Sequence, residues 1–277
     1  MTDCFYLPLD TEGSRFRATS HTVGPWDQRF QHAGPPSALL GRALEGCERR
    51  DDTMVARVTV ELLGPVPVAE LALRVRIVRP GRSVELVEAA LSAGGRDVAR
   101  ASAWRVLRTA SEPVPDRHGT PEPLPTAPAE ATGLWGGGYL QAVEWRVVRG
   151  EGFLSPGPGA AWARLRHPLV DGEPLSPLQR VLAVADSGNG LSAELDLAHW
   201  HFINPELTVH VHREAIGEWI CLDAATVIST GGVGLATSVL SDRLGPLGVG
   251  AQSLLVAPRA AAPSAGNGPG VSAARPP

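Results

Sequence analysis

Four of the eight histidines, His199, His201, His210 and His212, fall within fourteen consecutive residues, in and just before the segment FINPELTVHVHREA. Histidine is the commonest metal ligand, but a metal site needs three or four ligands converging on one point. Read as a strand from residue 206, the segment alternates its side chains. Leu207, Val209 and Val211 then share one face, and Glu206, Thr208, His210 and His212 share the other. The two H-x-H pairs could meet only if their segments crossed or paired about the bend expected at INPE. Polar strand faces account for the histidines, and no metal is expected. Glu206 is the better chemical candidate, because a carboxylate within hydrogen-bond reach of a water can act as a general base.

Two other constellations bear on chemistry. WDQRFQH spaces Asp27 and His32 as D-x4-H, a carboxylate and an imidazole of the types that act as general base or acid. Asp186, in VADSGNG, stands at the end of a predicted helix, where a carboxylate opposes the helix dipole. It therefore either has a local task or closes an Asx turn, and the turn is the reading favoured here. The three glycines of LWGGGYL (136 to 138) do not form a phosphate loop, and the chain has no G-x-S-x-G. Cys4, Cys47 and Cys221 are odd in number, far apart and in no C-x-x-C, so they read as reduced thiols. All 25 basic residues are arginines, which excludes Schiff-base lysine chemistry and a GK[ST] phosphate loop.

The elements that must position such groups follow from composition and pattern. With 277 residues, 43 % apolar, the chain can bury a sizeable core. A net charge of −4 gives no electrostatic case for nucleic acid, and no apolar run approaches a membrane span. The start, MTDCFYLPLDTEGSR, has no secretory signal pattern, so a cytoplasmic protein is expected. Pro-rich residues 110–133 predict a linker, and 258–277 predict a disordered tail. They divide the chain into an N-terminal unit, 1–109, and a C-terminal unit, 134–257.

The two units resemble each other. SVELVEAALS (83 to 92) and GVGLATSVLS (232 to 241) share V-x-L-x-x-x-x-L-S, and the same offset sets RVTVELLGPV (57 to 66) against ELTVHVHREA (206 to 215). An internal duplication is the simplest account. Each unit predicts one helix and then four strands. The helices are 34–50 and 176–188, the second opened by Ser176, Pro177 and Gln179 as a capping box. The strands fall near 53–63, 69–79, 83–92 and 97–108, and near 199–212, 217–228, 233–241 and 247–256. One helix followed by long antiparallel strands gives an α+β class. Trp135, Trp145, Trp162, Trp200 and Trp219 are expected in the core or in the wall of a binding tunnel.

RFQHAGPPSALLGRALE, FINPELTVHVHREAIGEWICLDAAT and GAQSLLV together resemble the double-hotdog acyl-CoA thioesterases of the thioesterase II kind, across roughly residues 20–257. The resemblance implies a tandem hotdog, with two antiparallel sheets each wrapped around a central helix. It also implies hydrolysis of an acyl-CoA to free acid and coenzyme A, with no cofactor beyond the coenzyme A of the substrate, and a homo-oligomer. Matched to the family's Asp, Thr/Ser and Gln, the water-holding trio falls on Glu206, Thr226 and Gln252, with Glu replacing Asp. His32, Gly34 and Pro35 would line the mouth of the first helix. The repeat sets Glu206 against Arg57, Thr226 against Ile77 or Val78, and Gln252 against Ser102, so one site per chain is expected. The alternatives are a non-catalytic double hotdog that binds acyl chains and an enoyl-CoA hydratase using Asp27 and His32.

Overall fold

Runs with alternating burial pair into long antiparallel ladders, and they do so twice. The computed structural model describes residues 3–112, 114, 119–126 and 137–259. The first unit holds β1 (Tyr6–Pro8), β2 (Arg15–Ala18), α1 (Gly34–Gly46), β3 (Thr53–Leu62), β4 (Glu70–Arg79), β5 (Val84–Ala93) and β6 (Arg96–Leu107). The second holds α2 (Tyr139–Ala142), β7 (Val143–Arg149), β8 (Gly159–Leu165), α3 (Pro177–Ala185), α4 (Gly188–Leu191), β9 (Trp200–Ile203), β10 (Glu206–Val211), β11 (Ile220–Ile228), β12 (Val233–Asp242) and β13 (Gly245–Pro258). The strand order is β1-β2-β4-β5-β6-β3 and then β10-β13-β12-β11-β8-β7, with β9 pairing on β13. Each half wraps its sheet around its own helix, so the tandem hotdog expected from the sequence is the observed architecture.

The halves join where β3 pairs antiparallel with β10. Thr59 lies opposite Thr208, and the Thr208 hydroxyl donates to Thr59 Oγ1 at 3.2 Å. Thr208 stands 149 positions after Thr59, the spacing that also separates Val233 from Val84. The sequence repeat and the strand register therefore place one pseudo-twofold axis through this pair. On the inner face of the seam, Val58 meets Val209 and Val60 meets Leu207, all four buried. Glu206, Thr208 and His210 lie on the other face, by strand alternation.

Local chemistry explains the boundaries. Gly94 and Gly95 both hold positive φ, 55° and 79°, which the tight turn between β5 and β6 requires. The strand predicted over 199–212 breaks at Asn204 and Pro205, because proline has no N–H to donate to a ladder. The short strands β1 and β2 and the Ala-rich β8 carry too few β-branched residues to be read from sequence. α1 is buried almost all round, as befits a helix covered by a sheet and by a second helix. Of the predicted linker, residues 119–126 form no helix or strand, yet they are held to the second sheet. The Trp162 indole N–H donates to Glu122 O at 2.8 Å, an Arg146 N–H donates to Pro125 O, and Leu124 packs by Trp162 and Trp219. Trp145, Trp162 and Trp219 are buried as expected, and Trp200 is half-buried. Trp135, Gly136 and the predicted tail beyond Arg259 lie outside the described residues.

Leu207→Ala at the seam should cost about 2–5 kcal/mol, the usual range for emptying a packed leucine site. A urea titration should show the midpoint fall as one transition shared by both halves. Two separate transitions would mean that the halves do not depend on the seam.

Candidate active site

α1 and α3 lie side by side and run in opposite directions. A Cβ on Gly41 would meet Leu182 Cδ1 at 2.5 Å, and one on Gly34 would meet the Ala183 carbonyl oxygen at 2.3 Å. The first turn of α1 is thus pressed onto the last turn of α3, and only glycine at 34 allows it. Pro35 and Pro36 carry no N–H, so Gly34 supplies the one N–H among the first three helical residues.

Asp186 caps the C-terminal end of α3 at this junction and is 3 % exposed. Its Oδ1 accepts from Asn204 Nδ2 at 2.9 Å and from Gln252 Nε2 at 3.2 Å. Its Oδ2 lies 3.2 Å from His32 Nδ1, which also accepts from the Gly34 N–H at 3.0 Å. Burial pushes the carboxyl up to about 7, against hydrogen bonds from Asn204, Gln252 and the Ala33 and Gly34 N–H groups, which favour the charged form. Burial also pushes His32 down to about 3. The contact is within ion-pair distance, but both shifts favour uncharged groups, so the two share one proton and do not form an ion pair. Tyr139 fixes the imidazole from one side. The rings stack at 3.9 Å, and the phenol donates to Ala183 O at 2.7 Å.

The carboxylate opens on a cavity of about 440 Å³ whose walls are mostly apolar, among them Trp26, Phe30, Leu62, Phe153 and Phe202. A larger cavity, about 830 Å³, lies at the opposite end of the helix pair, and charged groups such as Arg42, Arg50, Arg105 and Glu173 are among its lining. Size does not make it the equivalent site. There the α3 N-terminus is closed by its own capping box, and the Ser176 hydroxyl donates to Glu45 at 2.6 Å.

The predicted trio does not come together. Thr226 and Gln252 share a buried face, each paired with Ala236 of the strand between them. Thr226 Oγ1 lies 2.8 Å from Ser192 Oγ, while Gln252 reaches Asp186 and accepts from the Asn189 N–H at 3.1 Å. Glu206 points from the other face, where it accepts from the Ser253 N–H at 2.6 Å and lies 3.2 Å from Thr208 Oγ1. The sequence already held the reason. If Leu207 and Val209 face the core, Glu206 faces away from it. His32 and Gly34 do lie at the site, and Pro35 follows them as a buried residue of the first turn. Asp186 and Asn204 are the residues the sequence reading passed over, and the sign was there in a carboxylate set against the α3 dipole.

The hydratase pair is not formed. Asp27 is held at about 2 by its hydrogen bond with Arg29, whose Nη2 lies 2.6 Å away, and His32 faces Asp186 instead. Cys4, Cys47 and Cys221 are free thiols, all pushed up first by burial, the opposite of an activated nucleophile. No helix among the described residues is long and apolar enough to cross a membrane.

Comparison with known proteins agrees with the fold. The profile of the acyl-CoA thioesterase C-terminal domain matches residues 109–256, and that of the acyl-CoA thioesterase N-terminal domain matches 22–106. An acyl-CoA thioesterase II from Mycobacterium marinum superposes with a TM-score of 0.64 at 15 % identity, covering 93 % of this chain and 96 % of that one. A protein provisionally named a thioesterase, from Novosphingobium aromaticivorans, gives 0.67 at 22 % identity, covering 91 % and 98 %. A hot dog fold protein of unknown function from Alicyclobacillus acidocaldarius gives 0.64 at 16 %, covering 91 % and 96 %. No curated protein matches the chain.

The Asp186 shift has a stability consequence with a definite sign. The folded chain keeps a proton that the unfolded chain, with an ordinary aspartate near 3.9, releases between about pH 4 and 7. Stability therefore falls through that window, and the cost is complete above about pH 7. Asp186→Asn should stabilise the fold at pH 8 by up to about 4 kcal/mol and by little at pH 4. Chemical denaturation of both proteins at the two pH values checks this. An equal effect at both would show that the carboxyl is not held protonated.

Proposed function

The chain belongs to the acyl-CoA thioesterase family, and we propose that it hydrolyses acyl-CoA with a water activated by Asp186 at the junction of α1 and α3. The observation that carries this reading is a buried carboxyl, pushed up to about 7, against a helix N-terminus at the end of an apolar cavity. A base of that pKa holds its proton loosely near neutral pH, where general-base catalysis is most effective.

Each neighbour then has a task. Asn204 and Gln252 fix the carboxylate through Oδ1, leaving Oδ2 for the proton of the attacking water. The substrate carbonyl lies toward the Gly34 N–H, where the helix N-terminus stabilises the developing oxyanion. Ionisation of Asp186 favours the His32 tautomer with its proton on Nδ1. That tautomer donates to one lone pair of Oδ2, leaves the other for the attacking water, and no longer accepts from the Gly34 N–H. The departing thiolate is a weak base, so no strong general acid is needed. Thr226 acts at a distance, holding Ser192 at the end of α4.

The same cavity sets the acyl class. Trp26 and Phe202 meet edge to face at 5.7 Å in its wall, and few polar groups lie away from the Asp186 end. The acyl group is therefore an uncharged aliphatic or aromatic one, and the polar coenzyme A moiety stays outside.

Two measurements test this. Coenzyme A release, followed with a thiol reagent from acetyl-CoA to palmitoyl-CoA, should fall about 10²–10⁴-fold in Asp186→Asn. Glu206→Gln should keep activity within about threefold, since Glu206 lies on the far face. The reverse ranking would move the base to Glu206, and no release from any substrate would favour a binding protein. Trp26→Ala should lower kcat/KM about tenfold for long acyl chains, the loss of one aromatic contact, and spare acetyl-CoA. An equal loss on all substrates would take Trp26 out of the acyl wall.

A further inference from the structure

Two histidines that the site does not use stand together on the far side of the N-terminal strand. His21 lies in the short 3-10 turn Ser20–Thr22, and His167 follows β8. Their rings stack at 4.2 Å between centroids, 27° from parallel. The Asp3 carboxylate comes 3.7 Å from His21 Nε2. One ligand atom from each of the three residues lies within 4.8 Å of the other two. Among the described residues no other group of His, Cys, Asp and Glu converges in this way, including the four histidines near residue 205.

The backbone holds this cluster in place. The Phe5 N–H donates to Pro168 O at 3.1 Å, and the Tyr6 N–H donates to Leu169 O at 2.9 Å. The Thr19 hydroxyl donates to Cys4 O at 2.6 Å, and the Thr19 N–H donates to Phe5 O at 3.0 Å. Residues 3, 21 and 167 are thus each next to or near a residue fixed by these bonds. Among the described residues neither imidazole makes a hydrogen bond to protein, so the ring nitrogens are open to a ligand.

We propose that Asp3, His21 and His167 bind a divalent first-row transition ion such as zinc. Two imidazoles and one carboxylate are a ligand set such ions accept, with a water completing the tetrahedron. Three ligand atoms this close need only side-chain adjustment to reach bonding distance. The ion would be structural. Asp3 and His21 belong to the first unit and His167 to the second, so it clamps the N-terminal segment across the two halves.

Zinc titration of the full-length, chelator-treated protein tests this by calorimetry and by thermal melting. One equivalent should bind and raise the melting temperature. Binding should weaken more than about tenfold in His167→Ala, and likewise in Asp3→Asn, a variant that keeps the side-chain shape. His199→Ala/His201→Ala should bind zinc as the wild type does. Both ligand variants should keep wild-type circular dichroism and wild-type coenzyme A release without metal, separating loss of the ion from loss of the fold. Absence of stoichiometric binding, or binding that survives His167→Ala and Asp3→Asn, overturns the proposal.

Discussion

The contact between the first turn of α1 and the last turn of α3 is the constraint on which the rest depends. It requires a residue without Cβ at position 34, since any other would strike the Ala183 carbonyl. It brings together a helix N-terminus from one half and a carboxylate from the other. Neither half holds both groups, so the duplication is a condition of the site. The long sheet serves this contact. Its seam through Thr59 and Thr208 fixes how the two halves, and so the two helices, face each other.

That arrangement has a cost in stability and a return in chemistry. A carboxyl shut away from water is harder to ionise, and the amides of Asn204 and Gln252 only partly compensate. The same burial brings its titration near neutrality, where a base is useful. At the opposite end of the helix pair the same geometry has been given up. There Ser176 and Gln179 satisfy the α3 N-terminus internally, and ion-paired arginines fill the surroundings. One end keeps an N-terminus whose Gly34 N–H is held by the His32 ring beside an apolar cavity, and the other is a joint closed by a capping box.

The fold was largely legible because its signals are local and repeated. The V-x-L-x-x-x-x-L-S repeat, the capping box at Ser176 and the Gly94–Gly95 turn each point to one local structure. The site was only half legible. His32, Gly34 and Gln252 were named, but Glu206 was chosen over Asp186. Resemblance placed the base on a strand, whereas the alternation of that same strand turns Glu206 away from the Leu207 and Val209 face. Asp186 stands sixty-six residues before Gln252, and Asn204 eighteen after Asp186, so only the seating of the α3 C-terminal end against β13 reveals them as neighbours. The two outermost strands at each end of the sheet, β1 and β2 and then β7 and β8, were missed because they are short or take their stability from pairing more than from their own composition.

The most direct test of the central claim is the pH dependence of kcat/KM for one acyl-CoA between pH 5 and 9, which reports ionisations of the free enzyme. If Asp186 is the base, kcat/KM should climb about tenfold per pH unit below neutrality and level off just above pH 7. A profile already flat at pH 5.5 would point to a carboxylate of ordinary pKa. It would contradict the assignment of the chemistry to the buried junction of α1 and α3.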